Sequence, residues 1–200
     1  MKEKIFIVFD GIDGDGKTTQ IKLLKEYLEK KHNIFLISTP SDSEHGKKIE
    51  NLLRRKEAAR ISKKKWLKFF TLDTKDVVRK INSALDEGKI VICDRYYYST
   101  LAYQLKEEEW QNYASQFLSP SITFIIDIPV DIALERIKKK YKITKEKRSY
   151  FEKLNILRQT RKKFLLLPHY LKDNIKIIDG NRAIEDITKD IKKEIDILLY

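Results

Sequence analysis

The chain has 200 residues and carries 42 lysines and arginines against 30 aspartates and glutamates, a formal net charge of +12. Its single cysteine, Cys93, excludes an internal disulfide and any metal site built from several cysteines. The apolar run at residues 5–9 is far too short to span a bilayer, and we recognise no signal-peptide pattern, so we expect a cytoplasmic protein that does not enter a membrane. The positive charge suits an anionic partner or, equally, a lysine-rich solvated surface.

Apolar runs of strand length alternate with segments of helical period along the chain. The apolar runs predict five strands, at residues 4–10, 34–39, 90–94, 122–127 and 175–179. The helical period predicts helices at residues 18–32, 46–60, 64–88, 99–104, 131–141, 150–167 and 183–199, with 107–118 continuing or following the fourth. Residues 138–148, KKKYKITKEKR, have the least regular pattern and predict a mobile basic loop.

Five apolar strands separated by helices predict an α/β fold, in which a five-stranded parallel sheet is covered by helices on both faces. We see no linker and no internal repeat, so residues 1–200 are expected to form one domain. Ligands of such sheets bind beyond the carboxyl ends of the strands. Functional residues are therefore expected in the polar segments that follow the strands.

The first such segment, residues 11–18 (GIDGDGKT), matches the pattern G-x-x-x-x-G-K-[ST] between a predicted strand and a predicted helix. Its glycines let backbone amides surround a phosphate at a positive helix N-terminus. Lys17 is expected to reach the β- and γ-phosphates of a nucleotide, and the Thr18 hydroxyl to bind Mg²⁺. The predicted nucleotide-binding residues are Gly11, Ile12, Asp13, Gly14, Asp15, Gly16, Lys17, Thr18 and Thr19.

A second polar segment, residues 94–104 (DRYYYSTLAYQ), follows the third predicted strand. Asp94 is suited to hold a metal-bound water or to position a basic side chain, and Arg95 to grip a phosphate with two hydrogen bonds. Tyrosines 96–98 and 103 offer flat surfaces for a base or sugar, and Ser99, Thr100 and Gln104 offer hydrogen bonds to base edges. The segment is also compatible with an Asp–Arg pair at a strand end and tyrosines in the core.

Together these two segments resemble those of thymidylate kinases, which are nucleoside monophosphate kinases with a phosphate loop. The later stretches FIIDIPVDIALERI, FEKLNILRQTRKKF and IIDGNRAIEDI follow in the family's order, so the resemblance covers nearly the whole chain. It implies a three-layer α/β/α phosphate-loop kinase fold and the reaction ATP + dTMP = ADP + dTDP with Mg²⁺. It also implies a homodimer packed through helices that flank the sheet, and no nucleic-acid partner. The apolar faces of residues 46–60 and 64–86 are candidates for that contact.

The resemblance further assigns roles to individual residues. Lys17 and Thr18 would hold donor phosphates and metal, and Asp13 would face the 3′-hydroxyl of dTMP. Arg95 would grip the acceptor phosphate, with Asp94 serving the metal and orienting that arginine. The remaining dTMP-binding residues would be Phe70, stacking on thymine, Ser99 and Thr100, at the base edge, and Tyr103, excluding a 2′-hydroxyl.

The sequence departs from the family pattern at several positions. Ser38 and Thr74 stand where the family often has arginines that contact the acceptor phosphate and the base, so thymine selection is less strictly implied. Arg95 would then hold the acceptor phosphate, with Lys47 and Lys48 as further candidates. Gly14 replaces the phosphate-loop arginine of some members, so a basic lid at about residues 138–150 would supply that charge. Its candidate catalytic residues are Arg136 and Arg148.

Other functions remain open on the sequence. The chain is also compatible with a kinase for another pyrimidine nucleoside monophosphate, such as dUMP, or with a deoxynucleoside kinase. A non-enzymatic alternative is a nucleotide-switched protein that binds nucleic acid through its net positive charge. Two acids at the loop have further expectations: we expect Asp10, at the strand end, to brace the loop or the acceptor pocket, and the Asp15 side chain to face solvent.

Overall fold

A computed structural model describes residues 4–145 and 149–199 of the chain. Its five strands are β1 (Phe6–Asp10), β2 (Ile34–Ser38), β3 (Ile90–Asp94), β4 (Ile122–Asp127) and β5 (Ile175–Asp179). The α-helices are α1 (Lys17–Leu28), α2 (Glu44–Leu53), α3 (Lys63–Asp86), α4 (Tyr97–Gln104), α5 (Trp110–Ala114), α6 (Val130–Thr144), α7 (Leu154–Tyr170) and α8 (Ile184–Leu199). Short 3₁₀ helices lie at Lys56–Arg60, Glu107–Glu109 and Tyr150–Glu152.

The strands form one sheet in the order β2-β3-β1-β4-β5, and all pairings are parallel. Both faces of the sheet are covered, so the central strands β1, β3 and β4 are buried almost end to end. Helices α1 and α8 pack on one face against side chains such as Phe9 and Phe124. Helices α3 to α7 contribute to the core on the other face, around Val8 and Val91. The predicted three-layer α/β fold is confirmed.

The order of the strands places the functional segments. β1 lies between β3 and β4, so the segment after β1 and the segment after β3 leave the sheet side by side. Phe9 is in register with Asp94, and Asp10 with Ile125. The phosphate-loop segment and the DRYYYS segment therefore meet at the carboxyl edge of the sheet.

Two sequence expectations about helices were wrong. The helix expected over residues 46–60 ends at Leu53, because the exposed charged residues 54–57 offer no apolar side chain to pack a further turn. The basic loop expected from residue 138 is helical as far as Thr144, because Ile137 and Tyr141 continue the inner face of α6. No helix in the described parts of the chain has the length and apolar character needed to cross a membrane.

Candidate active site

The segment from Gly11 to Thr18 links β1 to α1 and has the conformation that its glycines allow. Gly14 has a φ of +83°, and a Cβ added there would lie 2.6 Å from the backbone oxygen of Ala133 in α6. Only glycine combines this backbone geometry with such close packing. The absence of an arginine at position 14 is therefore a steric requirement of the contact with α6.

Lys17, the first residue of α1, is buried and its ammonium turns back over the loop. Its Nζ donates to the carbonyl oxygen of Ile12 at 3.2 Å and to Asp15 Oδ1 at 3.1 Å. Thr18 and Thr19 are exposed. The cation and the loop amides thus lie at one helix N-terminus, the arrangement that binds phosphate.

The expectation that Asp15 faces solvent was wrong, because its side chain folds into the loop and is only 2% exposed. Asp15 Oδ1 accepts from the backbone N–H of Lys17 at 2.9 Å as well as from its ammonium. Burial raises the pKa of the Asp15 carboxyl, although the charges of Lys17 and Arg95 oppose that rise. The buried lysine supplies the hydrogen bonds that compensate this desolvated acid.

Asp10 braces both segments, in agreement with the expectation for it. Its Oδ1 accepts from Gly11 N–H at 2.9 Å, from the Ser99 hydroxyl at 2.7 Å and from Arg95 at 3.3 Å. Its Oδ2 accepts from the N–H groups of Tyr96 at 3.2 Å and Ser99 at 3.0 Å. The carboxylate, which is fully buried, ties the start of the phosphate loop to the start of α4.

Arg95 is held by four acceptors. Its NH1 donates to the Gly11 carbonyl oxygen at 2.6 Å, to Ser99 Oγ at 3.0 Å and to Asp10 Oδ1, and its NH2 donates to Asp13 Oδ1 at 2.7 Å. Burial opposes ionisation of Asp13, but Arg95 and Lys17 outweigh it and hold the Asp13 pKa below its ordinary value. Asp13 and Arg95 therefore form a charged pair between the two segments.

Asp94 has a different environment from the one the family resemblance implies. Among the described residues no hydrogen bond or ion pair joins Asp94 to Arg95; Asp10 and Asp13 orient the arginine instead. Asp94 Oδ1 is buried and has no hydrogen-bond partner among those residues. An unpartnered carboxylate oxygen near Thr18 fits a bound Mg²⁺, which needs only one or two protein ligands besides phosphates and water. The described residues contain no cluster of three or more histidine, cysteine or acidic side chains suited to a metal.

Two cavities lie on either side of Asp13 and Arg95. The loop cavity is lined by the phosphate loop with Asp94 and Arg136, and the aromatic cavity by Phe70, Thr100, Tyr103, Gln104 and Phe151. Residues that line both are Asp13, Thr39, Pro40, Glu50, Arg95, Lys140 and Glu152. The two cavities thus share one wall, as expected for a donor site beside an acceptor site.

The aromatic cavity has polar groups aimed at a ligand. Phe70 packs between Trp66 and Phe151, with ring centroids 5.8 and 6.3 Å away. The Tyr103 hydroxyl and Gln104 Nε2 are buried and have no hydrogen-bond partner in the described structure. Buried polar groups are normally paired, so these two are free to meet the polar edges of a ligand.

Tyrosines 96–98 do not line this cavity, and of the two readings that the sequence left open, the one that places them in the core is confirmed. All three are at most 1% exposed and belong to the core. The Tyr96 ring packs edge-on against Phe6, and the hydroxyls of Tyr97 and Tyr98 both donate to Asp173. The triplet thus belongs to the core cluster that α3 to α7 form with the sheet.

The basic helix α6 reaches the phosphate loop. Arg136 NH1 donates to the Asp15 carbonyl oxygen at 3.1 Å and to that of Gly14 at 3.4 Å. Lys140, one turn further on, lines both cavities. Arg148 lies outside the described residues. The segment expected to form a lid thus begins as a helix, and Arg136 and Lys140 of that helix lie beside the loop.

Sequence reasoning missed two acidic residues of the shared wall, Glu50 and Glu152. Glu152 is buried, accepts from the Tyr141 hydroxyl at 2.9 Å and from Ser149 N–H at 2.8 Å, and its pKa is raised by burial and by the charge of Asp13. The only local signal is its place after an aromatic residue at the end of the basic run. Glu50 has no local sequence signal that points to a site, since it belongs to the amphipathic helix α2.

The residues at the departures from the family pattern do not replace the missing arginines. Thr74 is buried, and its hydroxyl donates to the Phe70 carbonyl oxygen at 2.9 Å. Ser38 lines the loop cavity. Lys47 and Lys48 line neither cavity; in their place Arg54, in the aromatic cavity, and Lys140 are the further cations near the acceptor side.

Comparison with known proteins gives a consistent result. A family profile described as thymidylate kinase matches residues 9–191. The probable thymidylate kinase of Pyrococcus horikoshii is 38% identical over 196 residues, which cover 93% of each chain. The thymidylate kinase of Fervidobacterium nodosum is 36% identical over 200 residues, covering 94% of this chain and 97% of that protein. The probable thymidylate kinase of Thermococcus kodakarensis is 35% identical over 208 residues and 98% of both chains.

Proposed function

This chain belongs to the thymidylate kinase family, and on that premise we propose that it transfers the terminal phosphoryl group of ATP to dTMP, giving ADP and dTDP on the route to dTTP. The observation that carries the proposal is the shared wall, where Asp13 and Arg95 separate a phosphate loop from an aromatic cavity. A donor and an acceptor bound on either side of this wall would meet beside Arg95.

The donor side supplies positive charge and rigid amides. Lys17 and the loop amides bind the donor phosphates, and Arg136 lies across the loop where charge develops on the transferred group. A bound Mg²⁺ neutralises charge on the donor phosphates, and Thr18 and Asp94 are the residues that would hold it. Phosphoryl transfer depends mainly on such positioning and charge neutralisation.

The acceptor side binds a planar base and a phosphate. Phe70 stacks on the base, and Thr100 and Gln104 face its polar edge from α4. Tyr103 packs against Phe151, with ring centroids 5.0 Å apart, and narrows the space beside the sugar. Arg95 grips the acceptor phosphate when its bond to Asp13 opens, which frees Asp13 for the sugar 3′-hydroxyl.

We further propose that α6 and the residues that follow, to about residue 150, act as a basic lid over the single domain. Closure would bring Arg136, Lys140 and Arg148 over the phosphates and exclude water. The homodimer and the cytoplasmic location belong to the same proposal. Both rest on the family alone. For the homodimer, no exposed large apolar side chain lies on α2 or α3 among the described residues to mark a contact surface.

A second candidate is a kinase that accepts dUMP as readily as dTMP. It is favoured by Thr74, whose hydroxyl donates its hydrogen within α3 and which does not line the aromatic cavity. Binding of the base then depends on Phe70, Thr100 and Gln104. Because position 74 is a threonine and not an arginine, it adds no hydrogen bond that would distinguish thymine from uracil.

The test is a coupled ADP-release assay with ATP and a panel of dTMP, dUMP, UMP, dCMP and thymidine. We expect turnover with dTMP and none with thymidine, because Arg95 needs a phosphate to bind. A dUMP rate close to the dTMP rate would select the second candidate. Turnover with thymidine and none with dTMP would contradict both.

A further inference from the structure

One side chain in the phosphate loop already occupies the groups that a phosphate needs. Asp15 Oδ1 lies 2.9 Å from the Lys17 backbone nitrogen and 3.1 Å from the Lys17 ammonium, and accepts hydrogen bonds from both. The two side chains are 1% and 7% exposed, so water does not weaken the pair. One carboxylate oxygen therefore takes two donors of the loop.

The second oxygen of the same carboxylate has no such support. Asp15 Oδ2 is buried and has no hydrogen-bond partner in the described part of the chain. It lies so close to Gly11 that a Cβ there would be 2.3 Å from it. A buried, half-satisfied anion is costly to keep in place. The arrangement is thus one that an incoming ligand with better charge complementarity can displace.

The surroundings of Asp15 determine what can displace it. The charges that act on its carboxyl are those of Lys17 and Arg95, and Arg136 donates to its backbone oxygen from α6. A triphosphate would be attracted by these cations and repelled by the negative charge of the Asp15 carboxylate. Both the triphosphate and the carboxylate bind the Lys17 ammonium. Phosphate and Asp15 therefore compete for a single lysine.

We propose that Asp15 is a positioning residue whose carboxylate acts as an internal anion of the phosphate loop, and that the donor triphosphate must displace this carboxylate from Lys17. The inference rests on the proposed function, since it takes the loop as the ATP site. Asp15 keeps Lys17 folded over the loop, and it gives up both hydrogen-bond donors when the triphosphate binds. The residue thereby lowers the affinity for ATP and leaves the acceptor side unchanged.

The test compares ATP binding, measured by calorimetry without acceptor, in the unmodified chain and in Asp15→Asn and Asp15→Ser. Asparagine keeps the shape and removes the charge, whereas serine removes both. We expect both variants to bind Mg²⁺–ATP about tenfold more tightly, which corresponds to loss of one charge-assisted competitor. In turnover assays the KM for ATP should fall while the KM for dTMP stays within a factor of about two.

Asp86→Asn is the matched control, because Asp86 is exposed and pairs with Lys4, far along the chain from the loop. It removes the same charge and should leave ATP binding unchanged. Equal or weaker ATP binding by both Asp15 variants would overturn the inference. If neither the unmodified chain nor any variant binds ATP, it is the proposed function that fails.

A second measurement needs no variant at the loop. Lys17 is the first residue of α1, and the first N–H groups of a helix have no acceptor within the helix. If Asp15 holds the Lys17 N–H, its hydrogen exchange in the nucleotide-free chain should be at least about tenfold slower than that of the exposed Thr18 amide beside it. Equal exchange of the two amides would contradict the proposed contact.

Discussion

A substitution of Asp10, whose carboxylate is fully buried, tests most directly what holds the two functional segments together. In Asp10→Asn the side chain keeps its size but loses one acceptor oxygen. If the amide nitrogen takes the place of Oδ2, the N–H groups of Tyr96 and Ser99 lose their acceptor; if it takes the place of Oδ1, the Gly11 N–H and the Ser99 hydroxyl lose theirs. Either orientation leaves at least two buried donors unpaired.

The magnitude follows from these contacts. Each buried donor left unpaired costs about 1–3 kcal/mol. Burial raises the pKa of Asp10, against the charge of Arg95, so removing the charge recovers part of this cost. We expect a net loss of about 2–5 kcal/mol in the free energy of unfolding, or about 4–20 °C in melting temperature for a domain of this size.

The assay is urea and thermal unfolding at pH 7, with Asp86→Asn as the control for loss of one negative charge. The control pair of Asp86 with Lys4 is exposed and should contribute less than about 1 kcal/mol. Asp10→Asn should also lower kcat/KM for dTMP, because Arg95 loses one of its acceptors. A loss of stability no greater than that of the control, with normal turnover, would refute the view that Asp10 organises the site.

Three further predictions concern separate parts of the molecule. Arg95→Ala should lower kcat/KM for dTMP by about 100-fold or more and change ATP binding little; equal losses for both substrates would mean a structural role. Gly14→Ala should cost about 1–3 kcal/mol in unfolding experiments, because a Cβ would meet the Ala133 backbone at positive φ; an unchanged melting temperature would show that α6 moves freely away. The hydrogen bond from His45 lowers the pKa of Asp76, despite opposing burial, so its stabilisation is present above pH 3.8 and is lost as pH falls through the folded value. Asp76→Asn should therefore cost about 0.5 kcal/mol at pH 7 and progressively less as the pH is lowered below 3.8, in urea titrations at a series of pH values, whereas a pH-independent cost would contradict it.

The local pattern determined the elements more reliably than their ends. The runs at 90–94 and 122–127 coincide with β3 and β4, because a strand buried on both faces is apolar along almost its whole length. The run at 175–179 coincides with β5, an edge strand that is only partly buried and carries Lys176. The lysine-rich second half of α6 was not predicted as a helix, because only Ile137 and Tyr141 of that half pack against the core. Sparse apolar residues among many charges look like a loop when the partner surface is not known.

The phosphate-loop motif was readable in the sequence, because its backbone conformation depends on glycines at set positions and on the strand and helix beside it. The roles of the acids were predicted only in part: the expectation for Asp10 was confirmed, whereas that for Asp15 was wrong. Asp10, Asp13 and Asp15 occupy similar local positions, yet one braces two segments, one pairs with Arg95 across the wall, and one holds Lys17.

The sequence by itself determined the α/β class, the phosphate loop and the family, since each depends on short-range order along the chain. The tertiary structure decided which side chains share a site. Asp10 meets Arg95 and Ser99 only because β1 and β3 pair in parallel, which brings residues more than 80 positions apart within hydrogen-bonding distance. Burial raises the pKa of Asp15, and Asp94 Oδ1 has no hydrogen-bond partner among the described residues. Both features depend on packing from distant elements and have no local signature.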